Sequence, residues 1–125
     1  SDEAAAIDYM VAGRRLLVGP AHQFDDERAR ALATSEYRRV NNVASASNHA
    51  LIGSDRWREQ LPGIQAPTLV IHGTADPVLP YGHGQALARE IPHARLLTLE
   101  GTGHEIHRDD WDEIITAIRE HTAQD

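Results

Sequence analysis

The chain has 125 residues, with 12 Arg, no Lys and 19 Asp plus Glu, which leaves a formal net charge of −7. That acidic balance argues against a broad nucleic-acid or anionic-membrane surface, since both need clustered basic charge to displace counterions. With no Cys, a disulfide framework, a thiol nucleophile and any Cys-based zinc or iron–sulfur centre are excluded within this chain.

From Asp2 to Leu61 the sequence predicts helices. Ile7, Met10, Val11, Leu17 and Val18 fall on one stripe, and Gly19-Pro20 stops the first helix. Asp25 or Asp26 caps a second, in which Ala29, Leu32, Ala33 and Val40 recur at spacings of three, four and seven. The small, polar stretch Val43 to Ile52 offers a third helix. Ser54 then caps a short one that carries Trp57 and Leu61 and ends at Pro62-Gly63. Both Trp57 and Trp111 sit on apolar stripes and are expected in the core.

After Pro62 the pattern alternates. Thr68-Leu69-Val70-Ile71-His72 reads as a strand buried on both faces, Tyr81 to Ile91 as a helix, and Arg95 to Leu99 as a second strand. Such a unit implies a parallel pair with a right-handed crossover. Asp109 or Asp110 caps a last helix with the stripe Trp111, Ile114, Ile115 and Ile118. The fold class is therefore α/β, with a helical segment at 1–61 and an α/β segment at 62–125. Two strands make an incomplete sheet, so the missing strands are expected from an N-terminal segment or from another chain. No apolar run reaches the ~20 residues of a membrane span, and Ser-Asp-Glu-Ala lacks the features of a signal peptide, so the reading is cytoplasmic with no membrane partner.

In open α/β sheets functional groups gather at the carboxyl ends of the strands. The first strand runs into His72-Gly73-Thr74-Ala75-Asp76-Pro77 and the second into Glu100-Gly101-Thr102-Gly103-His104-Glu105. An Asp and a His thus stand on adjacent strand ends. Asp76 could hold one ring nitrogen of His104 so that the other takes a proton from a hydroxyl, and Gly101 and Gly103 permit the irregular loop this needs. The plainer alternatives are that Asp76 shapes an Asx turn and that His104 is a surface loop histidine.

Taken together, Ala66-Pro67 through Val78-Leu79-Pro80, Ile91-Pro92-His93-Ala94-Arg95 and Gly101-Thr102-Gly103-His104 resemble the C-terminal third of the α/β-hydrolase superfamily. The resemblance implies that Asp76 is the triad acid and His104 the triad base, and that the helical first half corresponds to the lid. Leu17-Val18-Gly19-Pro20 through Phe24-Asp25, with Ile91 to Leu96, looks most similar to small bacterial hydrolases of the aclacinomycin methylesterase type. Tyr9, Phe24, Tyr37 and Trp57 become candidate substrate-pocket residues, because lid aromatics often line the pocket in that family.

The departure from the family is the nucleophile. None of Ser1, Ser35, Ser45, Ser47 and Ser54 lies in a Gly-x-Ser-x-Gly elbow, and no His-Gly-Gly stretch supplies an oxyanion hole. The expected function is the C-terminal part of an enzyme for esters or related carbonyl compounds, requiring no cofactor and inactive as an isolated chain. The alternative is a non-catalytic assembly module that completes its sheet with another chain. A metal site is not expected: His104-Glu105-Ile106-His107 is one residue short of His-Glu-x-x-His, and the remaining histidines, His22 among them, read as solvated or capping residues, with His72 at its strand end open to the alternative of a buried, hydrogen-bonded histidine. Phosphate loops are excluded by the missing Lys and the wrong Gly spacing.

Overall fold

The computed structural model describes residues 2–40, 42, 45, 48, 51, 53 and 57–123. Most of the predicted third helix, and the Ser54 cap, lie outside these residues. The packing separates into two units, one formed by Ser1–Arg15 with Phe24–Trp57 and the other by Leu16–Gln23 with Arg58–Asp125. The segment around Gly19 thus belongs with the α/β half, although in sequence it lies inside the helical half.

The first unit is built on two helices, α1 (Glu3–Leu17, its last two residues belonging to the second unit) and α2 (Asp26–Arg39). Both carry acidic residues in the first turn and Arg in the last, which complements the helix dipole. Asp25 is the N-cap of α2, and its side chain accepts from the Arg28 N–H at 2.9 Å. Ile7 and Val11 pack against Ala29 and Ala33, with Met10, Phe24 and Tyr37 against this cluster. The small Ala side chains bring the helices close enough for Arg14 to reach Glu36 and Arg30 to reach Asp8, each at 2.7 Å. Leu32 and Val40, expected on the buried stripe, are exposed: Leu32 points outward on α2, and Val40 is already extended backbone beyond its end.

The second unit holds β1 (Leu69–Gly73), α3 (Gly82–Glu90), β2 (Arg95–Leu99) and α4 (Trp111–Thr122), with 3-10 segments at Arg58–Gly63 and Arg108–Asp110. The strands pair in parallel, Leu69 opposite Arg95 and Gly73 opposite Leu99. Helix α3 packs on both strands and α4 on β1. The result is an α/β arrangement with a two-stranded parallel sheet among the described residues. β1 is only half-buried along most of its length, with β2 as its one ladder partner among the described residues.

Other expectations about burial and capping fail for related reasons. Trp57 is 61% exposed and Trp111 49% exposed, and Ile115 and Ile118 also face solvent, while Ile114 and Ala117 form the buried face of α4. For α4, the stripe reveals which side is apolar but not whether anything lies against it, whereas Trp57 stands just before the 3-10 segment at Arg58–Gly63 and so on no helical stripe. Neither Asp109 nor Asp110 caps α4 with its side chain. The 3-10 turn before it is capped instead by His107, whose Nδ1 accepts from the Asp109 N–H at 3.3 Å. Among the described residues no helix is long and apolar enough to cross a membrane.

Candidate active site

Both strands end in turns that lock onto each other. Past Gly73 the Thr74 N–H donates to the Leu99 carbonyl at 3.0 Å, and the Ala75 N–H to the Thr102 carbonyl at 3.0 Å. Gly73 is required here: a Cβ on it would stand 2.2 Å from the Thr102 carbonyl oxygen. The Thr74 hydroxyl accepts from the Gly101 N–H at 2.8 Å, closing the second turn from below. Two loops bonded in this way place Asp76 and His104 side by side.

Asp76 uses both carboxylate oxygens. Oδ1 accepts from the N–H groups of Val78 and Leu79 at 2.7 and 2.9 Å, an Asx turn around Pro77. Oδ2 accepts from His104 Nδ1 at 2.8 Å across 28 residues of sequence. The turn and the pairing are therefore compatible, one oxygen serving each. The side chain of Asp76 is 6% exposed and that of His104 39% exposed, so the acid is shielded and the imidazole remains open to solvent on one side. Burial pushes the Asp76 carboxyl up, but the Leu79 N–H, the His104 ring and the Val78 N–H together outweigh it and hold it below its ordinary value of 3.8.

A carboxylate at Nδ1 fixes the tautomer. Nδ1 of His104 carries the proton it shares with Asp76, leaving the Nε2 lone pair free to accept one. His72 supports the same turn, donating from Nε2 to the Leu79 carbonyl at 2.9 Å, with its ring edge-on to Tyr81. Gly84 of α3 lies against that ring, and a Cβ there would come within 2.6 Å of His72 Nδ1.

Of the four candidate pocket aromatics, Phe24 and Tyr37 pack on the core cluster of the first unit, whereas Tyr9 and Trp57 are exposed. All four belong to the first unit, and Asp76 and His104 to the second.

Sequence reasoning missed a polar cluster beside the His104 loop. His22, expected to be solvated or capping, has a side chain only 8% exposed. Its Nε2 lies 2.9 Å from Asp110 Oδ2 and 2.9 Å from the Thr102 hydroxyl, which itself donates to Asp110 Oδ2 at 2.9 Å. The rings of His22 and His107 stack at 4.3 Å with 15° between their planes. No local pattern signals this contact, since His22 and Thr102 are 80 residues apart.

His22, His107 and Asp109 also bring one ligand atom each within 4.8 Å of one another. Imidazole lone pairs lie in the ring planes, however. Two nearly parallel stacked rings cannot aim both lone pairs at one ion about 2.0–2.1 Å away, so this arrangement is a stack and not a metal cage. His104 and His107 are likewise separated, one held by Asp76 and the other by His22.

Residues 15–111 match the family model described as serine aminopeptidase, S33. The chain is 31% identical over 87 residues to a proline iminopeptidase, PfmaB, of Pestalotiopsis fici, covering 66% of this chain and 31% of that protein. It is 28% identical over 103 residues to a pimeloyl-[acyl-carrier protein] methyl ester esterase of Aromatoleum aromaticum, covering 82% of this chain and 40% of that protein. The crystal structure of an esterase from Rhodococcus sp. ECU1013 superposes with a TM-score of 0.72 at 22% identity, over 99% of this chain and 44% of that one. The chain thus spans less than half the length of these proteins, and none of the three bears the name of the aclacinomycin methylesterase type. A match over most of the chain to this family model makes the chain a member of the S33 family of α/β hydrolases.

Proposed function

We propose that this chain is the lid and C-terminal portion of a serine-type α/β hydrolase acting on an ester or related carbonyl compound, in which Asp76 is the triad acid and His104 the general base. The observation that carries the reading is the 2.8 Å contact between His104 Nδ1 and a shielded Asp76 carboxylate whose other oxygen is held by two backbone donors. The nucleophile is a Ser on a segment outside this sequence, because no serine here lies in a Gly-x-Ser-x-Gly turn.

In this mechanism His104 Nε2 takes the proton of the Ser hydroxyl as its oxygen attacks the carbonyl carbon. Asp76 stabilises the imidazolium that forms. The same proton then passes from Nε2 to the leaving alkoxide as the acyl bond breaks, giving an acyl-enzyme and an alcohol. Water repeats the sequence, releasing the acid and restoring the Ser. The substrate is a small molecule.

The test is completion. The 125-residue chain is mixed or co-expressed with an N-terminal α/β-hydrolase segment carrying the nucleophile turn, and turnover of a p-nitrophenyl ester is followed. Activity that requires both parts and is abolished by His104→Ala supports the proposal. A chain that assembles with the segment and gives no turnover, with His104→Ala indistinguishable from the parent, overturns it in favour of a non-catalytic assembly module, a reading to which the open two-stranded sheet lends weight.

A further inference from the structure

We propose that His22, Asp110 and Thr102 form a positioning device for the His104 loop, an inference that rests on reading His104 as the base. Thr102 is 1% exposed, the most deeply buried polar side chain among the described residues. Its hydroxyl has one proton, and that proton goes to Asp110 Oδ2. His22 therefore meets the same carboxylate oxygen through Nε2–H, which makes Asp110 the acceptor for two donors from opposite ends of the chain. His107 closes the cluster by stacking on the His22 ring.

The main chain of Thr102 faces the other way. Its carbonyl accepts from Ala75, the residue before Asp76. Thr102 therefore joins the two halves of the acid–base pair to one buried anchor, by its backbone to the Asp76 turn and by its side chain to Asp110 and His22. The residues flanking His104 are fixed as well: the Gly103 N–H donates to the Val18 carbonyl at 2.9 Å and the Glu105 N–H to the Leu17 carbonyl at 3.0 Å. Ala21 completes the pairing by donating to the Gly101 carbonyl at 3.1 Å. Contact is close on both sides, since a Cβ on Gly19 would stand 2.4 Å from the Gly103 nitrogen and one on Gly103 would stand 2.0 Å from the Leu17 carbonyl oxygen.

Such over-determination matters for a general base. Catalytic groups must be held to within roughly 0.5 Å, and a displacement of about 1 Å can lose on the order of 10²-fold in rate. His104 itself is partly exposed and has Asp76 as its one side-chain anchor among the described residues, so its placement depends on the loop beneath it. Segment 17–22 supplies that support from outside the α/β stretch of the sequence.

The experiment uses the isolated 125-residue chain and long-range 1H–15N spectra of the histidine rings. The parent should show His104 with Nδ1 protonated and Nε2 free. Thr102→Val keeps the shape and removes the hydroxyl; it should leave the backbone amide spectrum dispersed while His104 drifts to a mixture of tautomers. Thr102→Ser, which retains the hydroxyl, should restore the parent signature. If Thr102→Val does not fold, His22→Gln is read in the same spectrum and should show the same loss. A folded Thr102→Val or His22→Gln chain with an unchanged His104 signature overturns the proposal. Failure of the catalytic reading looks different: His104 would respond as described, while His104→Ala would leave the completed assembly's turnover unaltered.

Discussion

The α-carbon of Gly73 lies so close to the carbonyl of Thr102 that the smallest side chain would not fit between them: a Cβ would stand 2.2 Å from that oxygen. Three residues after Gly73 comes Asp76, and two after Thr102 comes His104. Contact between the two strand ends is thus what sets the separation of the acid and the imidazole.

Gly73→Ala should therefore damage stability and site geometry together. Backbone on both sides must yield, and overpacking of this kind costs about 1–3 kcal/mol. Urea unfolding should show the loss, and the His104–Asp76 ring signature should weaken in the variant that remains folded. An alanine variant of parental stability would show that the loops separate freely.

Asp76→Asn should separate the two jobs of the residue. The Asn side-chain oxygen can still accept from Val78 and Leu79, so the turn survives. Its amide group presents a donor to His104, however, forcing Nδ1 to accept and placing the proton on Nε2, where it blocks base catalysis. In a completed enzyme, kcat should drop by about 10⁴-fold, the scale seen when a triad acid is replaced by its amide. Steady-state kinetics beside the ring spectra checks both halves of the expectation.

The same carboxylate makes a signed contribution to pH-dependent stability. Its pKa is lower in the folded chain than its ordinary value of 3.8, despite burial, because Leu79, His104 and Val78 all favour the ionised form. The folded state therefore gains from Asp76 fully above that ordinary value and loses the gain as pH falls through the depressed folded value. Below pH 3.8 the parent should lose stability more steeply than Asp76→Asn, measured by denaturant unfolding at successive pH values. Parallel curves would show that Asp76 has the same affinity for protons in both states.

At the helical end, Asp25→Ala removes the acceptor for the Arg28 N–H at the start of α2. The expected cost is about 0.5–2 kcal/mol, typical of a lost N-cap. Asp25→Ser should recover most of it. Far-UV circular dichroism during thermal unfolding measures the difference.

Helix α4 exposes Trp111, Ile115 and Ile118, residues four and three apart on one side. An apolar stripe of that kind promotes association. The isolated chain should self-associate with rising concentration in sedimentation experiments, and Ile115→Glu with Ile118→Glu should keep it monomeric. Identical sedimentation of parent and variant would show that the stripe is inert.

The sequence alone determined the local parts and where chemistry could gather. A β-branched run between Pro67 and Gly73 is a strand, Pro92 ends a helix, and an acid and a His at successive strand ends are legible because short-range sterics and patterning encode them. Tertiary structure decided what those parts touch. Trp111 lies on the apolar stripe of α4 yet is open to solvent, since periodicity gives the direction of a face and says nothing of its cover. Residues Leu17 to His22 look like the end of a helix and its exit loop, but their backbone and ring pair with the His104 loop some 80 residues away. Nothing local could announce that pairing, because its donors and acceptors are ordinary backbone groups, a threonine and a histidine that acquire a role only when the chain brings them together.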